Sequence, residues 1–263
     1  MYKKISACVI TTSILCGNCQ AIAGQQPAGS QDPFKFFNKA MYAFNDGLDH
    51  LILKPVAKAY LKVTPQPVVT GVDNFYNNLS NLPTIGNDLL QADFHQAVAD
   101  TSRLLINSTL GLAGILDVAK LAGLPQNSED MGLTFAHWGW TSSTYVVLPF
   151  FGPSTVRDTL GKPIDNEMSA YKFIHNVRLR NSLYALGVVN TRADLLQLQD
   201  VIAEAALDPY VFQRNAYLQR RNYLINRNEQ LEDVHRKTAT IAMNTGYALD
   251  EIPPVTAKQV ANY

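Results

Sequence analysis

The sequence predicts an all-α protein. Apolar residues recur at steps of three and four in several segments, which is the spacing of a stripe on an amphipathic helix. Proline and short runs of turn-forming residues separate these segments, and no convincing strand hairpin or internal repeat is present. The 263 residues are enough for one large domain or two small ones.

Residues 1–23 have the three parts of an export signal. Lys3 and Lys4 provide a positive start, and a short apolar stretch leads to a small-x-small pattern that ends at Ala23. The apolar stretch is shorter than the roughly 20 residues that a membrane-spanning helix needs. We therefore expect a signal peptide that is removed, followed at residues 24–31 by a linker of Gly, Pro, Ser and Gln.

All three cysteines, Cys8, Cys16 and Cys19, lie inside this leader. Cleavage would leave a chain held by packing alone, without disulfides or a thiolate metal site. The alternative is that one cysteine is the acylation site of a lipoprotein. Cys8 has little apolar sequence before it, while Leu15 and Asn18 are poor residues to precede the other two cysteines. Plain cleavage is the favoured interpretation, and acylation stays open.

The composition excludes a nucleic-acid-binding protein. Removal of the leader leaves 20 basic residues against 22 acidic ones, a net charge of −2, whereas nucleic-acid binding requires a basic excess. Charged residues make up 17% of the chain, against about 25% in an average soluble domain. A surface short of charge is expected where part of it faces something other than water.

The first predicted helix begins at Asp32, a good N-cap, with Pro33 in the first helical position. Pro55 interrupts the helical pattern. Five apolar residues form a narrow stripe along this helix: Phe34, Phe37, Met41, Phe44 and Leu48. Ordinary core packing is the simplest interpretation of the stripe, and an interfacial helix is the alternative.

Further helices are predicted at residues 68–79, 83–91, 94–110, 165–189, 191–206 and 208–227. In the last of these, apolar pairs recur every seven residues and are flanked by Arg214, Arg221 and Arg227. The arginines could bind lipid phosphates, but a solvated face is the favoured interpretation. Residues 244–263 lose the pattern and are expected to form a flexible tail.

Two apolar runs, residues 109–124 and 145–151, are too short to cross a bilayer. Sixteen helical residues cover about 24 Å, less than the roughly 30 Å of the hydrocarbon layer, and Asp117 and Lys120 would sit in the middle of the first run. Packing in a core or lying in one leaflet therefore fits better than spanning.

Catalytic patterns are absent from the sequence. The five histidines are scattered, and neither a His-Glu-x-x-His pair nor a Gly-x-Ser-x-Gly turn occurs. Asp88, Asp93, His95 and Asp100 are close in sequence and could form a metal or acid/base cluster, but helix capping or surface roles are favoured. We expect no enzyme activity, metal or cofactor.

A series of short motifs runs in a fixed order through residues 32–223, most densely before Gly161. It comprises Asp32-Pro33-Phe34, Phe37-Asn38, Phe44-Asn45-Asp46, Asn87-Asp88, Arg103, Asn107, Asp117, Glu129-Asp130, Gly132, Trp138-Gly139, Gly152-Pro153-Ser154, Arg157-Asp158 and Asp208-Pro209-Tyr210. Together these motifs resemble the MlaA (VacJ) family of outer-membrane phospholipid-transport proteins.

The resemblance implies a single ring-like helical domain over residues 32–243, seated in the inner leaflet of the outer membrane around an amphipathic channel. Mislocalised phospholipid would pass from the outer leaflet through this channel to a soluble periplasmic carrier, which maintains lipid asymmetry. Members of the family sit beside trimeric porins and need no cofactor. The tail after Asn244 is a candidate for recruiting the carrier.

Two groups of residues are expected to meet lipid if the resemblance holds. Phe34, Phe37, Met41 and Phe44 would contact acyl chains or the apolar rim of the ring. Residues 139–151 would line or gate the channel, with these side chains or backbone positions facing lipid: Gly139, Tyr145, Val146, Leu148, Phe150 and Phe151.

The chain departs from the family pattern in two places. Trp138-Gly139 is followed by residues 140–145, Trp-Thr-Ser-Ser-Thr-Tyr, instead of spaced glycines and Gly-Pro-Tyr. The loss of those glycines should restrict any gating motion of the segment. A good acylation motif is also missing. The alternative to lipid transport is a structural envelope or surface protein, and a hydrolase would need a nucleophile and base that the sequence does not reveal.

Overall fold

The computed structural model describes residues 32–205 and 208–245, without the side chains of residues 197–205 and 228–245. The leader with its three cysteines, the linker and most of the expected tail lie outside the described residues. Within them the all-α prediction is confirmed. The helices are α1 (Lys35–Leu48), α2 (Lys54–Val63), α3 (Gln66–Leu90), α4 (Phe94–Thr109), α5 (Val118–Leu121), α6 (Met131–His137), α7 (Val156–Met168), α8 (Val177–Ala205) and α9 (Pro209–Thr245).

The prediction that the chain has no strand hairpin is wrong. Strands β1 (Tyr145–Leu148) and β2 (Gly152–Thr155) pair antiparallel, with Tyr145 opposite Thr155. The apolar run from residue 145 shows no alternation of apolar and polar residues, which is the usual sequence signal of a half-buried strand. Each strand is also only four residues long.

The first helix begins later and continues further than predicted. Asp32 does not cap it, since the N-cap is Phe34. The Asp32 carboxylate instead accepts hydrogen bonds from Asn38 Nδ2 at 2.8 Å and from the Tyr210 hydroxyl. Pro55 does not separate two helices, because a π-helical segment, Asp49–Leu53, joins α1 to α2. A π turn tolerates both the missing backbone N–H of proline and the bulk of the proline ring.

Three further helix boundaries differ from the predictions. α3 runs through Pro83 and merges two predicted helices. The predicted helix at 165–189 is broken by a 3₁₀ turn, Ala170–Phe173, and α8 continues through the expected break at residue 190. The prediction of a helix at 208–227 is confirmed, although α9 extends to Thr245.

Residues 109–124, the first of the two apolar runs, form turns and the single-turn helix α5. Leu112, Ala113 and Gly114 have positive φ angles of 54°, 60° and 92°, which no α-helix tolerates. Asp117 caps α5 and accepts hydrogen bonds from Arg103 and Asn107 of α4. These bonds lower the pKa of Asp117 although burial raises it. The polar residues in this run therefore anchor a loop.

The helices pack in pairs: α3 against α4, α2 against α8 and α6 against α7. α9 contacts α6 and β2. Tyr145 and Val147 of β1 and Tyr210 of α9 form a small apolar core against which Met41 and Tyr217 also pack. The hairpin is thus held between the first and last helices of the described chain.

Polar side chains occupy most of the interior that the structure describes. The largest fully buried ones include Arg103, Arg157, Asn38, Asn87 and Asp100. Large apolar side chains are meanwhile exposed in many places, most strongly Phe36, which is 91% exposed. This distribution is the reverse of that in a water-soluble domain.

Arg221 of α9 connects two other helices. Its Nη2 donates hydrogen bonds of 2.9 Å to Asp130 Oδ1, at the start of α6, and to Asp158 Oδ1 in α7. Burial alone would raise the pKa of Asp130, but the hydrogen bond and charge of Arg221 outweigh it and hold the pKa below its usual range. Arg157 Nε donates to Asp158 at 3.1 Å, so two guanidinium groups balance two carboxylates.

The predicted solvated face is wrong for two of the α9 arginines. Arg214 is buried, with its Nη1 4.0 Å from Asp32 Oδ2, and Arg221 is buried in the ion network. Arg227 keeps 27% of its side chain exposed, and its Nη2 donates to Glu129 Oε1 at 2.9 Å. Carboxylates of the protein therefore hold all three guanidinium groups. The sequence could not show this because their partners lie far away along the chain.

The two buried aspartates Asp88 and Asp100 lie side by side between α3 and α4. Asn127 Nδ2 donates to Asp100 Oδ2 at 3.1 Å, and two further buried oxygens, Asp88 Oδ2 and Asp100 Oδ1, have no donor among the described residues. Burial, followed by the charge and hydrogen bond of Asp100, raises the pKa of Asp88 to about 8. A proton on Asp88 therefore removes the repulsion between the two carboxylates and allows a hydrogen bond between them. The surface role expected for these two aspartates is wrong, whereas Asp93 caps α4 as expected.

We predict that Arg221→Leu destabilises the protein by about 3–5 kcal/mol, because it leaves Asp130 and Asp158 without their shared cation. Urea unfolding in mild detergent, followed by far-UV circular dichroism, measures the loss. Arg220 is the matched control because it is exposed on the same helix. Arg220→Leu should change the free energy of unfolding by less than about 0.5 kcal/mol; equal losses would contradict this account of the network.

We predict that the Asp88–Asp100 pair makes stability fall as pH rises from about 4 to about 8. The folded-state pKa of Asp88 lies above its ordinary value of 3.8, so the folded protein binds more protons than the unfolded chain in this window. Asp88→Asn removes this titration, and its melting temperature should fall less steeply over the same range. Glu167→Gln, at an exposed carboxylate, should retain the parent slope. Parallel slopes for the parent and Asp88→Asn would refute the shared proton.

Candidate functional site

A cleft of about 750 Å³ opens between α1, the π segment, the hairpin turn and α8. Ligand sites commonly have volumes of about 300–1,000 Å³. The apolar side chains that line it are Leu48, Ile52, Leu53, Phe150, Phe151, Val188 and Leu195. The polar side chains that line it are Tyr42, Asn45, Asp46, Asp49, Arg192 and Gln213. The cleft is therefore amphipathic.

Arg192 of α8 and Asp49 of the π segment form an ion pair in the lining of the cleft. Arg192 Nη2 donates to Asp49 Oδ2 at 2.8 Å, and Arg192 Nε donates to Oδ1 at 2.5 Å. The hydrogen bond to Asp49 raises the pKa of the guanidinium. A planar guanidinium held in this way presents a fixed geometry that also suits a phosphate.

Two asparagines seven residues apart on α1 hold the hairpin. Asn38 Nδ2 donates to the carbonyl of Tyr145 at 3.2 Å, and its Oδ1 accepts from the Val147 N–H at 2.8 Å. Asn45 Nδ2 donates to the carbonyl of Leu148 at 2.9 Å, and its Oδ1 accepts from the Phe150 N–H at 2.8 Å. A two-stranded hairpin is marginal by itself, so these amides position it.

The hairpin turn places two phenylalanines at the cleft. Phe150 has a φ angle of +66°, a left-handed conformation that is unfavourable for a residue with a side chain. Its ring packs edge-on against Phe44 with centroids 5.3 Å apart. Phe150 and Phe151 are 76% and 74% exposed. The turn therefore combines backbone strain with a large apolar surface.

The structure brings some of the expected site residues together and separates others. Phe150 and Phe151 line the cleft, and Phe44 contacts Phe150. Phe34 and Phe37 are exposed elsewhere on α1, while Val146 and Leu148 are half-buried.

Three of the expected site residues lie away from the cleft walls. Gly139 is exposed beyond α6 with a φ angle of +105°. Met41 packs against the apolar core. Tyr145 is only 4% exposed, so the expectation that it faces lipid or a channel is corrected: its ring packs against Tyr210 and Tyr217.

Sequence reasoning missed the α8 side of the cleft. Val188, Arg192 and Leu195 follow one another at steps of four and three, so they share a helix face. This spacing was visible in the sequence, but the predicted break at residue 190 divided it between two helices.

The outer surface of the described chain is rich in apolar side chains. Phe36, Leu51, Val63, Leu110 and Leu121 are all largely exposed. No helix among the described residues combines the length and apolar character needed to cross a membrane. In the same part of the chain, no three His, Cys, Asp or Glu side chains are arranged to hold a metal ion.

Comparisons with known proteins identify the family. The sequence pattern of the family described as "MlaA lipoprotein" matches residues 30–224. The chain is 34% identical over 233 residues to an Escherichia coli protein called "Intermembrane phospholipid transport system lipoprotein MlaA", with 87% of this chain and 91% of that protein covered. A protein of the same name from Haemophilus influenzae is 28% identical over 88% of this chain and 93% of its own length.

A solved structure supports the same relationship. It is described as the "Structural basis for maintenance of bacterial outer membrane lipid asymmetry" and superimposes with a TM-score of 0.65 at 31% sequence identity. The match covers 74% of this chain and 98% of the solved one. The chain belongs to the MlaA lipoprotein family.

Proposed function

We propose that this chain is the outer-membrane component of a phospholipid transport system that maintains lipid asymmetry. In this proposal it takes mislocalised phospholipid from the outer leaflet and passes it to a soluble periplasmic carrier. The names of its relatives and of the solved structure support phospholipid transport as the task. The observation that carries the proposal is the amphipathic cleft beside an exposed apolar surface.

The two kinds of side chain that line the cleft match the two parts of a phospholipid. Acyl chains would lie against Ile52, Phe150 and Phe151, where each buried CH₂ contributes about 0.8 kcal/mol. The phosphate would lie near Arg192, which exchanges part of its bond to Asp49 for the phosphate oxygens. Transport requires no covalent chemistry, so binding and release are the whole mechanism.

The hairpin is the proposed gate. Asn45 makes two hydrogen bonds to the turn, and a typical hydrogen bond contributes about 0.5–1.5 kcal/mol net. An energy of this size is small enough for a bound lipid to release the turn from Asn45 and for the two hydrogen bonds to form again afterwards. Movement of Phe150 away from Phe44 would widen the mouth of the cleft.

The exposed apolar side chains support a seat in the inner leaflet. Short helices that expose apolar faces rest in one leaflet without spanning the bilayer. We further propose that a trimeric porin lies beside the protein and that its helices surround an amphipathic channel. The carrier would receive lipid at the periplasmic face.

We predict that a disulfide between Asn45→Cys and Phe150→Cys blocks lipid transfer, because it fixes the turn on α1. Transfer from the outer membrane to a carrier should fall at least tenfold under oxidising conditions, recover with reductant and leave membrane association unchanged. Each single cysteine variant, treated with the same oxidant, controls for loss of the asparagine or the phenylalanine. Unchanged transfer by the oxidised double variant would overturn the gate.

A further inference from the structure

Helix α2 presents three different faces. One face packs against α8, where Ala57 is buried and the Tyr60 hydroxyl donates to Asn190 Oδ1 at 2.9 Å. The side facing away from α8 exposes an apolar stripe made of Pro55, Val56, Ala59 and Val63. At 100° per residue, this stripe lies opposite the packed face.

A lysine stripe, Lys54, Lys58 and Lys62, separates the packed face from the apolar stripe. The three residues are four apart, so their ammonium groups follow one another along about 12 Å of one flank of the helix. Lys58 and Lys62 are exposed and Lys54 is half-buried. Three like charges at this spacing repel one another and destabilise the helix, unless anions from outside the helix balance them.

No side chain in the described part of the chain neutralises the lysine stripe. Lys39 and Lys172 have carboxylate partners, in Asp208 and Glu167. None of the three α2 lysines forms an ion pair with any other described residue. As far as the described residues go, the stripe is therefore an unpaired positive surface directly beside an apolar one.

We propose that α2 binds the surface of an anionic phospholipid leaflet. The apolar stripe enters the boundary between headgroups and acyl chains, and the lysine stripe binds the phosphates of anionic lipids. The charge complementarity and the contiguity of the two stripes favour lipid over an acidic protein, since a lysine flank can reach headgroups while the neighbouring valines are buried. This adds a lipid-charge preference to the proposed function and does not depend on transport.

The size of the effect follows from the number of lysines. Each lysine near an anionic surface strengthens binding about fivefold, so three contribute about a hundredfold at low salt. Added salt shortens the Debye length and so weakens the attraction between the lysines and the anionic surface. The preference should therefore be largest at low ionic strength.

The test is flotation of the full chain with vesicles of phosphatidylcholine alone or of phosphatidylcholine mixed with phosphatidylglycerol. The Lys54→Gln, Lys58→Gln, Lys62→Gln variant should lose about a hundredfold of its preference for the anionic vesicles and bind neutral ones like the parent. The corresponding triple arginine variant should retain the preference. A glutamine variant that keeps the parent preference, as expected if the stripe binds an acidic protein, would overturn the proposal.

A matched control separates the stripe from net charge. Lys35→Gln, Lys120→Gln, Lys172→Gln removes the same charge at exposed positions on other elements and should keep the preference; equal losses in both triple variants would overturn the proposal. Phosphate that displaces the parent better than chloride of equal ionic strength would indicate a free-phosphate site and also overturn it. Carrier transfer by the glutamine variant measures the transport function separately.

Discussion

The ion network around Arg221 is the interaction on which the rest of the structure depends. It joins α9 to the start of α6 through Asp130 and to α7 through Asp158. The helices approach closely here because residue 132 is glycine, where a Cβ would lie 2.3 Å from Asp158 Oδ1. Since α9 also packs Tyr210 against the hairpin, the network fixes the position of the hairpin relative to the helices.

Because polar side chains fill much of the described interior, many apolar side chains lie on the surface. Replacing a buried ion network by apolar residues is often neutral or stabilising, so the network is better explained by the geometry it specifies than by the stability it adds. In a protein that meets lipid, a partly apolar exterior carries little penalty. Several of the charged residues are paired inside the protein, as with Arg103 and Asp117, which leaves fewer charges for its surface.

The sequence predicted helices well and long-range polar contacts poorly. Periodicity identified α4 and α9 because burial on one face repeats every three to four residues. Periodicity failed at Pro55 and Pro83. The local preferences of proline predict that a helix ends there, whereas in the folded protein tertiary packing lets the helix continue. Phe150 and Phe151 could be expected at the site as an apolar run, but the pairing of Arg192 with Asp49 spans 143 residues and leaves no local signal.

The most direct test of the account is native mass spectrometry of the protein extracted from outer membranes in mild detergent. We predict one bound phospholipid for each chain, with occupancy lowered at least fivefold in Arg192→Gln, because the phosphate loses its cation in the cleft. Arg178→Gln, at an exposed position of the same helix, should retain the lipid. A chain that carries no phospholipid, or one whose lipid is indifferent to Arg192, would contradict the cleft as the lipid site.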